Sequence, residues 1–200
     1  MVTTLDTGGY LLFLTPIGHC GLAWGGGGIV GVVLPEGSEA QTRARMRKTH
    51  PLLAEAMVEG GPVQGAPAVP PFARAAGDRI RGLLQGEKDD LLDLRLDMSA
   101  LPAFHRRVYA LVRDIGPAYT ATYGEIAQRM GEPGAARAVG QALAKNPFAP
   151  VVPCHRVLAA ASRLGIYRPG GFSAVGGVLT KLRMLQIEGA RLSREPDLFD

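Results

Sequence analysis

Apolar positions in the first third of the chain fall into short runs that predict strands. Tyr10 to Leu14 is continuously apolar and stops at Thr15-Pro16 and Gly18. Leu22 to Trp24 and Ile29 to Leu34 follow on either side of four glycines, Gly25 to Gly28, which read as a hairpin turn. Ser38 is placed to cap a helix over Glu39 to Lys48. Leu52 to Val58 reads as helical, and the Gly- and Pro-rich stretch from Gly60 to Pro71 as a loop. Phe72, Ala76, Ile80, Leu83 and Leu84 recur at helical spacing, with Gly86 as the stop. Leu92, Leu94, Leu96 and Met98 alternate with Asp93, Arg95 and Asp97, which predicts a half-buried strand. Residues 1–98 are therefore expected to form a small α/β domain with its helices on one side of the sheet.

The pattern changes at Ser99-Ala-Leu-Pro102, where a second domain, 99–200, is expected to begin. Phe104, Val108, Leu111, Val112 and Ile115 mark an amphipathic helix closed by Gly116-Pro117. Thr122-Tyr-Gly-Glu125 has the form of a capping box, so a helix should start at Tyr123 and run to Met130, with Gly131-Glu-Pro133 ending it. A second helix is expected from Gly134 to Lys145, and the pair reads as a helix-turn-helix. That second helix is thin. Gly134, Ala135, Ala138, Gly140, Ala142 and Ala144 supply its small surface, Val139 and Leu143 a narrow core stripe, and Arg137 projects from it. A slender helix suits the narrow minor groove of DNA.

Composition narrows the function classes. The chain has 200 residues, a hydrophobic content of 46% and a net charge of +4, basic enough to permit a nucleic-acid partner without demanding one. Two cysteines far apart imply no disulfide framework and fit a reducing, cytoplasmic compartment. No apolar run reaches the roughly eighteen residues of a membrane span, so neither export nor membrane insertion is expected. His19-Cys20 lacks a second Cys/His pair at ligand spacing, so no metal site is expected. The basic run Arg43, Arg45, Arg47, Lys48 reads as a solvated face.

The candidate chemistry sits in Pro147 to Val157, Pro-Phe-Ala-Pro-Val-Val-Pro-Cys-His-Arg-Val. Cys154 follows an apolar approach and precedes His155 and Arg156. Burial raises a thiol pKa, and a neighbouring imidazole or cation lowers it. Cys154 is thus a candidate nucleophile, the plainer reading being a buried structural cysteine.

Taken together, residues 104–190 resemble the C-terminal domain of the O6-alkylguanine-DNA alkyltransferases. The motifs are Thr-Tyr-Gly-Glu-Ile-Ala at 122–127, Ala-Ala-Arg-Ala-Val-Gly at 135–140, Asn146-Pro147, Pro-Cys-His-Arg-Val at 153–157, and Lys181 through Glu188-Gly189. Thr15-Pro16-Ile17-Gly18 and the terminal Leu198-Phe199 look like bacterial members, whose first domain is ribonuclease H-like. The resemblance implies single-turnover repair of double-stranded DNA containing O6-alkylguanine, with O4-alkylthymine as a further lesion. The protein would act as a monomer at the minor groove, without a cofactor. A flipped base would meet Cys154, which takes the alkyl group as a thioether. His155 would accept the thiol proton through a water, Glu188 would orient the imidazole, and Asn146 would brace the turn. Arg137 would fill the vacated stack, Tyr123 would help turn the nucleotide's phosphate, and Ala135 and Gly140 would lie against DNA. Tyr123, Leu143 and Val157 would border the guanine pocket.

Two departures stand out. Phe104-His105 replaces the Phe-Gln common in the family, and extra residues lie between Gly165 and Gly177. Either Tyr167 or Phe172 is then the aromatic of the pocket loop. Two alternatives compete with alkyl transfer: a non-catalytic lesion-binding or regulatory helix-turn-helix protein, and a Cys–His hydrolase. The Cys154, His155, Asn146, Glu188 set argues against the first, and nothing beyond the dyad supports the second.

Overall fold

The computed structural model describes residues 8–56, 68–162 and 167–192, which form two compact units of a mixed α/β fold. The first comprises described residues up to Gln85 together with Leu91–Ala100 and Pro147–Val151. Its strands β1 (Gly9–Thr15), β2 (Gly18–Gly25) and β3 (Gly28–Val33) form an antiparallel meander. The glycine run makes the β2–β3 hairpin turn. A short β4 (Ala54–Glu55) adds parallel to β1, giving the order β3-β2-β1-β4.

Helix α1 (Glu39–Thr49) is capped by the Ser38 side chain, which accepts from the Gln41 amide. Its Met46 packs with Tyr10 and Ala23. It lies so close to Gly21 that a Cβ there would sit 2.5 Å from the Met46 sulfur, so a larger residue would have to push the Met46 side chain aside. Helix α2 (Pro71–Leu83) approaches Phe13 and Leu11 at its Gly77. Tyr10 and Leu12 point to one face of a strand, Leu11 and Phe13 to the other. The two helices therefore cover opposite faces, not one side as expected. Two-sided cover explains why Tyr10 to Leu14 is an unbroken apolar run.

Two expected elements are absent. Residues 51–56 make a turn and β4 instead of a helix, because the backbone of Ala54 and Glu55 takes β1 as partner and Arg43 binds the Glu55 carboxylate at 3.0 Å. Residues 57–67, with the end of that helix and most of the following loop, lie outside the described residues. The 92–98 segment is turns and bends with one bridge, Ile29↔Leu96. Leu91 is the buried leucine there, at a φ of 55°, while Leu92 is exposed. Only Leu96 of the alternating leucines meets a strand, bridging Ile29 of β3, and the pairing goes no further.

The second unit holds Gly86–Asp90, Leu101–Asn146 and the described residues from Val152 on. Helix α3 (Ala103–Arg113) buries Val108, Tyr109 and Val112. β5 (Ala121–Thr122) runs into α4 (Tyr123–Arg129), whose Thr122–Glu125 capping box is complete. A 3₁₀ turn at Pro133–Ala135 leads to α5 (Ala136–Ala144), so the thin helix begins two residues later than expected. β6 (Val157–Ala161) pairs parallel with β5 and antiparallel with β7 (Tyr167–Arg168). Helix α6 (Val178–Ile187) follows. No described helix is long and apolar enough to cross a membrane.

Candidate active site

Parallel pairing of β5 with β6 assembles the site. Ala121 and Thr122 face Val157 and Leu158, so Tyr123, the first residue of α4, is brought beside the turn that precedes β6. That turn is a single 3₁₀ element, Cys154–Arg156, closed by the Arg156 amide on the Pro153 carbonyl at 2.9 Å. Consecutive side chains on a three-residue turn diverge by about 120°. Cys154, His155 and Arg156 therefore point three ways.

Cys154 opens onto a cavity of about 490 Å³ lined by Tyr123, Ala136, Arg137, Gly140, Leu143, Ala144, Gly171, Phe172 and Ser173. Tyr123 stands between two glycines. A Cβ on Gly140 would lie 3.7 Å from one edge of its ring, and one on Gly170 3.1 Å from the other. Gly170 also has a φ of 72°, so it is a position for glycine on both counts. Arg137 is exposed and lines the same cavity.

Phe172, not Tyr167, is the aromatic that the loop contributes. Tyr167 is fixed in β7 opposite Ala161, with its amide donating to the Leu192 carbonyl. Val157 does not line the cavity either: its side chain is fully buried and its carbonyl accepts from Lys181. Ala135 caps α5 and is likewise away from the cavity wall. A larger hollow of about 840 Å³ in the first unit, walled by Leu12, Arg43, Glu55 and Arg81, contains no cysteine.

Behind the cavity lies a buried polar chain. His155 Nε2 is 2.8 Å from Glu188 Oε1. Arg156 grips the same carboxylate twice, Nε to Oε2 at 2.9 Å and Nη2 to Oε1 at 2.8 Å, and its Nη1 donates to the Ile115 carbonyl. Asn146 Nδ2 donates to the Val152 carbonyl at 2.8 Å and so holds the chain entering the cysteine turn. Lys181, fully buried, donates to the Val157 carbonyl at 2.6 Å and sits 5.8 Å from the Tyr123 ring centre.

Burial raises the Cys154 thiol above its ordinary value, and a hydrogen bond from Asn146 and the charge of Lys181 only partly offset it. The resting thiol thus keeps its proton at neutral pH, and a base is needed. Burial also holds His155 below its ordinary value, so it rests neutral. Burial would raise the Glu188 carboxyl, but hydrogen bonds and charges from His155 and Arg156 outweigh it and hold it at about 2. An ionised carboxylate only accepts, so Nε2 carries the imidazole proton and Nδ1 is the bare nitrogen. That Nδ1 is buried and has no hydrogen-bond partner among the described residues.

Adjacency in sequence put Arg156 beside the thiol and gave Lys181 no role. Arg156 pairs with Glu188, and the cation that favours the thiolate is Lys181, from α6. The signal for Arg156 was the position of Glu188 at the C-terminal end of α6, where a carboxylate opposes the helix dipole unless a cation holds it.

Residues 103–190 match the family model described as the 6-O-methylguanine DNA methyltransferase DNA-binding domain. A methylated-DNA–protein-cysteine methyltransferase of Mycobacterium tuberculosis is 38% identical over 125 residues, 62% of this chain and 70% of that one. The protein of the same name from Methanothermobacter thermautotrophicus is 31% identical over 178 residues, 88% of this chain and 83% of that one. The crystal structure of M. tuberculosis OGT in complex with DNA superposes with a TM-score of 0.63 at 29% identity, over 90% of this chain and 91% of the other. The chain belongs to the methylated-DNA–protein-cysteine methyltransferase family.

Proposed function

We propose that this protein repairs DNA by moving an alkyl group from O6 of guanine onto Sγ of its own Cys154, once and irreversibly. The observation that carries this is the position of Cys154. It faces an apolar cavity of about 490 Å³ in front and has a His155–Glu188 pair behind it. The cavity has the size of a small-ligand site, and a base turned out of the duplex is such a ligand. The thiol gives its proton, through a water, to the bare nitrogen of His155. The thiolate attacks the alkyl carbon, the S–C bond forms as the C–O bond breaks, and guanine leaves with the electron pair. A thioether has no ordinary route back to a thiol, so one molecule performs one reaction.

Placement supports the remaining roles. Asn146 braces the turn and hydrogen-bonds the thiol, and Lys181 steadies the thiolate. Tyr123, Leu143 and Phe172 wall the base pocket. Arg137 takes the place that the base leaves in the stack. α4 and α5 act as a helix-turn-helix in the minor groove, the small-residue face of α5 allowing close approach. The meander with β4 parallel at its edge supports a ribonuclease H-like first domain, within 1–98, ahead of the alkyl-transfer domain, 99–200. The protein works as a cytoplasmic monomer.

The test is to incubate the protein with duplex DNA carrying O6-methylguanine and weigh the intact chain. One methyl equivalent is expected, on Cys154, and Cys154→Ala should bind the DNA without reacting. Repeated turnover, or methyl on Cys20, refutes the reading. Cys20 is a fit control because burial pushes its thiol up to about 12.

A further inference from the structure

Arg156 is the bulkiest fully buried side chain among the described residues. A guanidinium out of water costs several kcal/mol unless its charge and donors are met. Here they are met in an unusual way. The carboxylate that balances it is the one that orients His155, and Glu188 Oε1 receives Nη2 of Arg156 and Nε2 of His155, each at 2.8 Å.

Resting on the alkyl-transfer reading above, we propose that Arg156 is a positioning residue of the reaction. It keeps Glu188 a fixed anion that orients His155, and it cancels the charge by which that anion would otherwise protonate His155. A carboxylate alone beside a buried imidazole favours the imidazolium. An imidazolium has no lone pair to take the thiol proton, so Glu188 alone would orient the base and disable it together. With Arg156 on the same carboxylate, the pair is nearly neutral as seen from the ring.

Every charged or titratable group known to act on the ring fits this. Burial opposes the imidazolium most; Glu188 on α6 favours it, and Arg156 in the same turn and Lys181 on α6 add to the opposition. Cys154, in the same turn, is the proton donor. The step balances: the proton passes from Sγ through a bridging water to Nδ1, leaving a thiolate and an imidazolium. The Nε2–H···Oε1 hydrogen bond keeps the imidazolium in the same orientation.

The experiment measures the rate of reaction with free O6-benzylguanine against pH, for wild type, Arg156→Lys and Arg156→Gln. Lysine keeps the charge and should keep the acid limb of the profile in place, with a lower plateau from lost donors. Glutamine leaves Glu188 unbalanced and should move the acid limb up by about one pH unit, roughly a tenfold slower reaction below it. An acid limb that stays put in Arg156→Gln, with only the plateau reduced, makes Arg156 a structural ion pair and overturns the proposal. Wild type supplies a readout independent of any variant's folding. The ring ¹⁵N shifts of His155 should show a neutral imidazole protonated at Nε2 at neutral pH. A reactive wild type whose His155 is an imidazolium, or is protonated at Nδ1, overturns this role alone. A wild type with the expected tautomer that takes neither a benzyl group from the free base nor a methyl group from O6-methylguanine in duplex DNA overturns the alkyl-transfer function and this role with it.

Discussion

At the scale of single residues, the site is governed by which buried charge meets which. Glu188 shows the energetic consequence. Its carboxyl stands at about 2 in the folded protein against an ordinary 4.5. The unfolded chain therefore binds the proton more readily between those values. By linkage, the stabilisation is full above about pH 4.5 and is lost as pH falls towards 2, a swing of about 3 kcal/mol. Denaturant unfolding of wild type between neutral pH and pH 3 should show about 2 kcal/mol of this loss. Glu188→Gln should be less stable at neutral pH by about 3–5 kcal/mol, because Arg156 is left as an unbalanced buried cation, and should show a flatter acid dependence. Parallel curves for the two proteins would mean that Glu188 does not hold its proton affinity down. Cys154 and His155 were legible as candidates from their own stretch of sequence, and Glu188 and Asn146 through the family resemblance. The pairings were not. Arg156 is next to His155 in the chain yet serves Glu188, and Lys181 is 27 positions beyond Cys154 yet acts on its thiol. Only the directions of side chains on a 3₁₀ turn and of α6 decide that.

At the scale of elements, local chemistry was readable where it was self-contained. The Thr122–Glu125 box announces α4, Ser38 announces α1, and the glycine run announces a hairpin, because each signal is satisfied within a few residues. Residues 92–98 and 52–56 were misread because a strand exists only if a partner runs beside it, and partners are chosen by the tertiary fold. The same limit left Tyr167 and Phe172 equivalent until β7 claimed the tyrosine. Two predictions belong here. Arg137 is on the first turn of α5 at the edge of the cavity, and its proposed role concerns the duplex, not the thiol. Arg137→Ala should slow repair in duplex DNA by about 2 kcal/mol, the order of an unstacking cost, and leave reaction with free O6-benzylguanine near wild type. Equal losses on both substrates would remove the stacking substitute from the account. The loop after β7 should set the room for the alkyl group. Phe172→Ala weakens base stacking equally for O6-methyl- and O6-benzylguanine, so that effect cancels in their ratio. What remains is added space, and the benzyl-to-methyl rate ratio should rise several-fold. Tyr167→Ala should leave the ratio unchanged. A ratio that moves with Tyr167 instead would contradict the cavity's observed wall.

At the scale of the whole molecule, charge is divided unevenly, which a net value conceals. Residues 103–190 hold eleven Lys and Arg against four Asp and Glu, a net of +7, while the rest of the chain holds eleven against fourteen, a net of −3. The family-matched region thus carries the attraction for DNA. Many of its cations are already engaged. Arg156 and Lys181 are buried in the site, Arg107 pairs with Glu132, and Arg129 pairs with Asp114. Arg106, Arg137, Lys145 and Arg168 are exposed and make no ion pair among the described residues. Each phosphate neutralised on duplex DNA contributes about −0.9 to the slope of log affinity against log salt. If two to four of these cations reach phosphates, the slope falls between about −2 and −4. Binding of undamaged duplexes, titrated at several salt concentrations, measures it directly. Affinity should vary little with flanking sequence, since a thin helix in the minor groove meets a degenerate pattern of base edges. A slope steeper than about −6 would require more phosphate contacts than these four cations supply, and would bring in the basic face of α1, where Arg45 and Lys48 are exposed. Strong preference for one flanking sequence would instead point to base reading in the major groove, and the minor-groove placement of α5 would then be wrong.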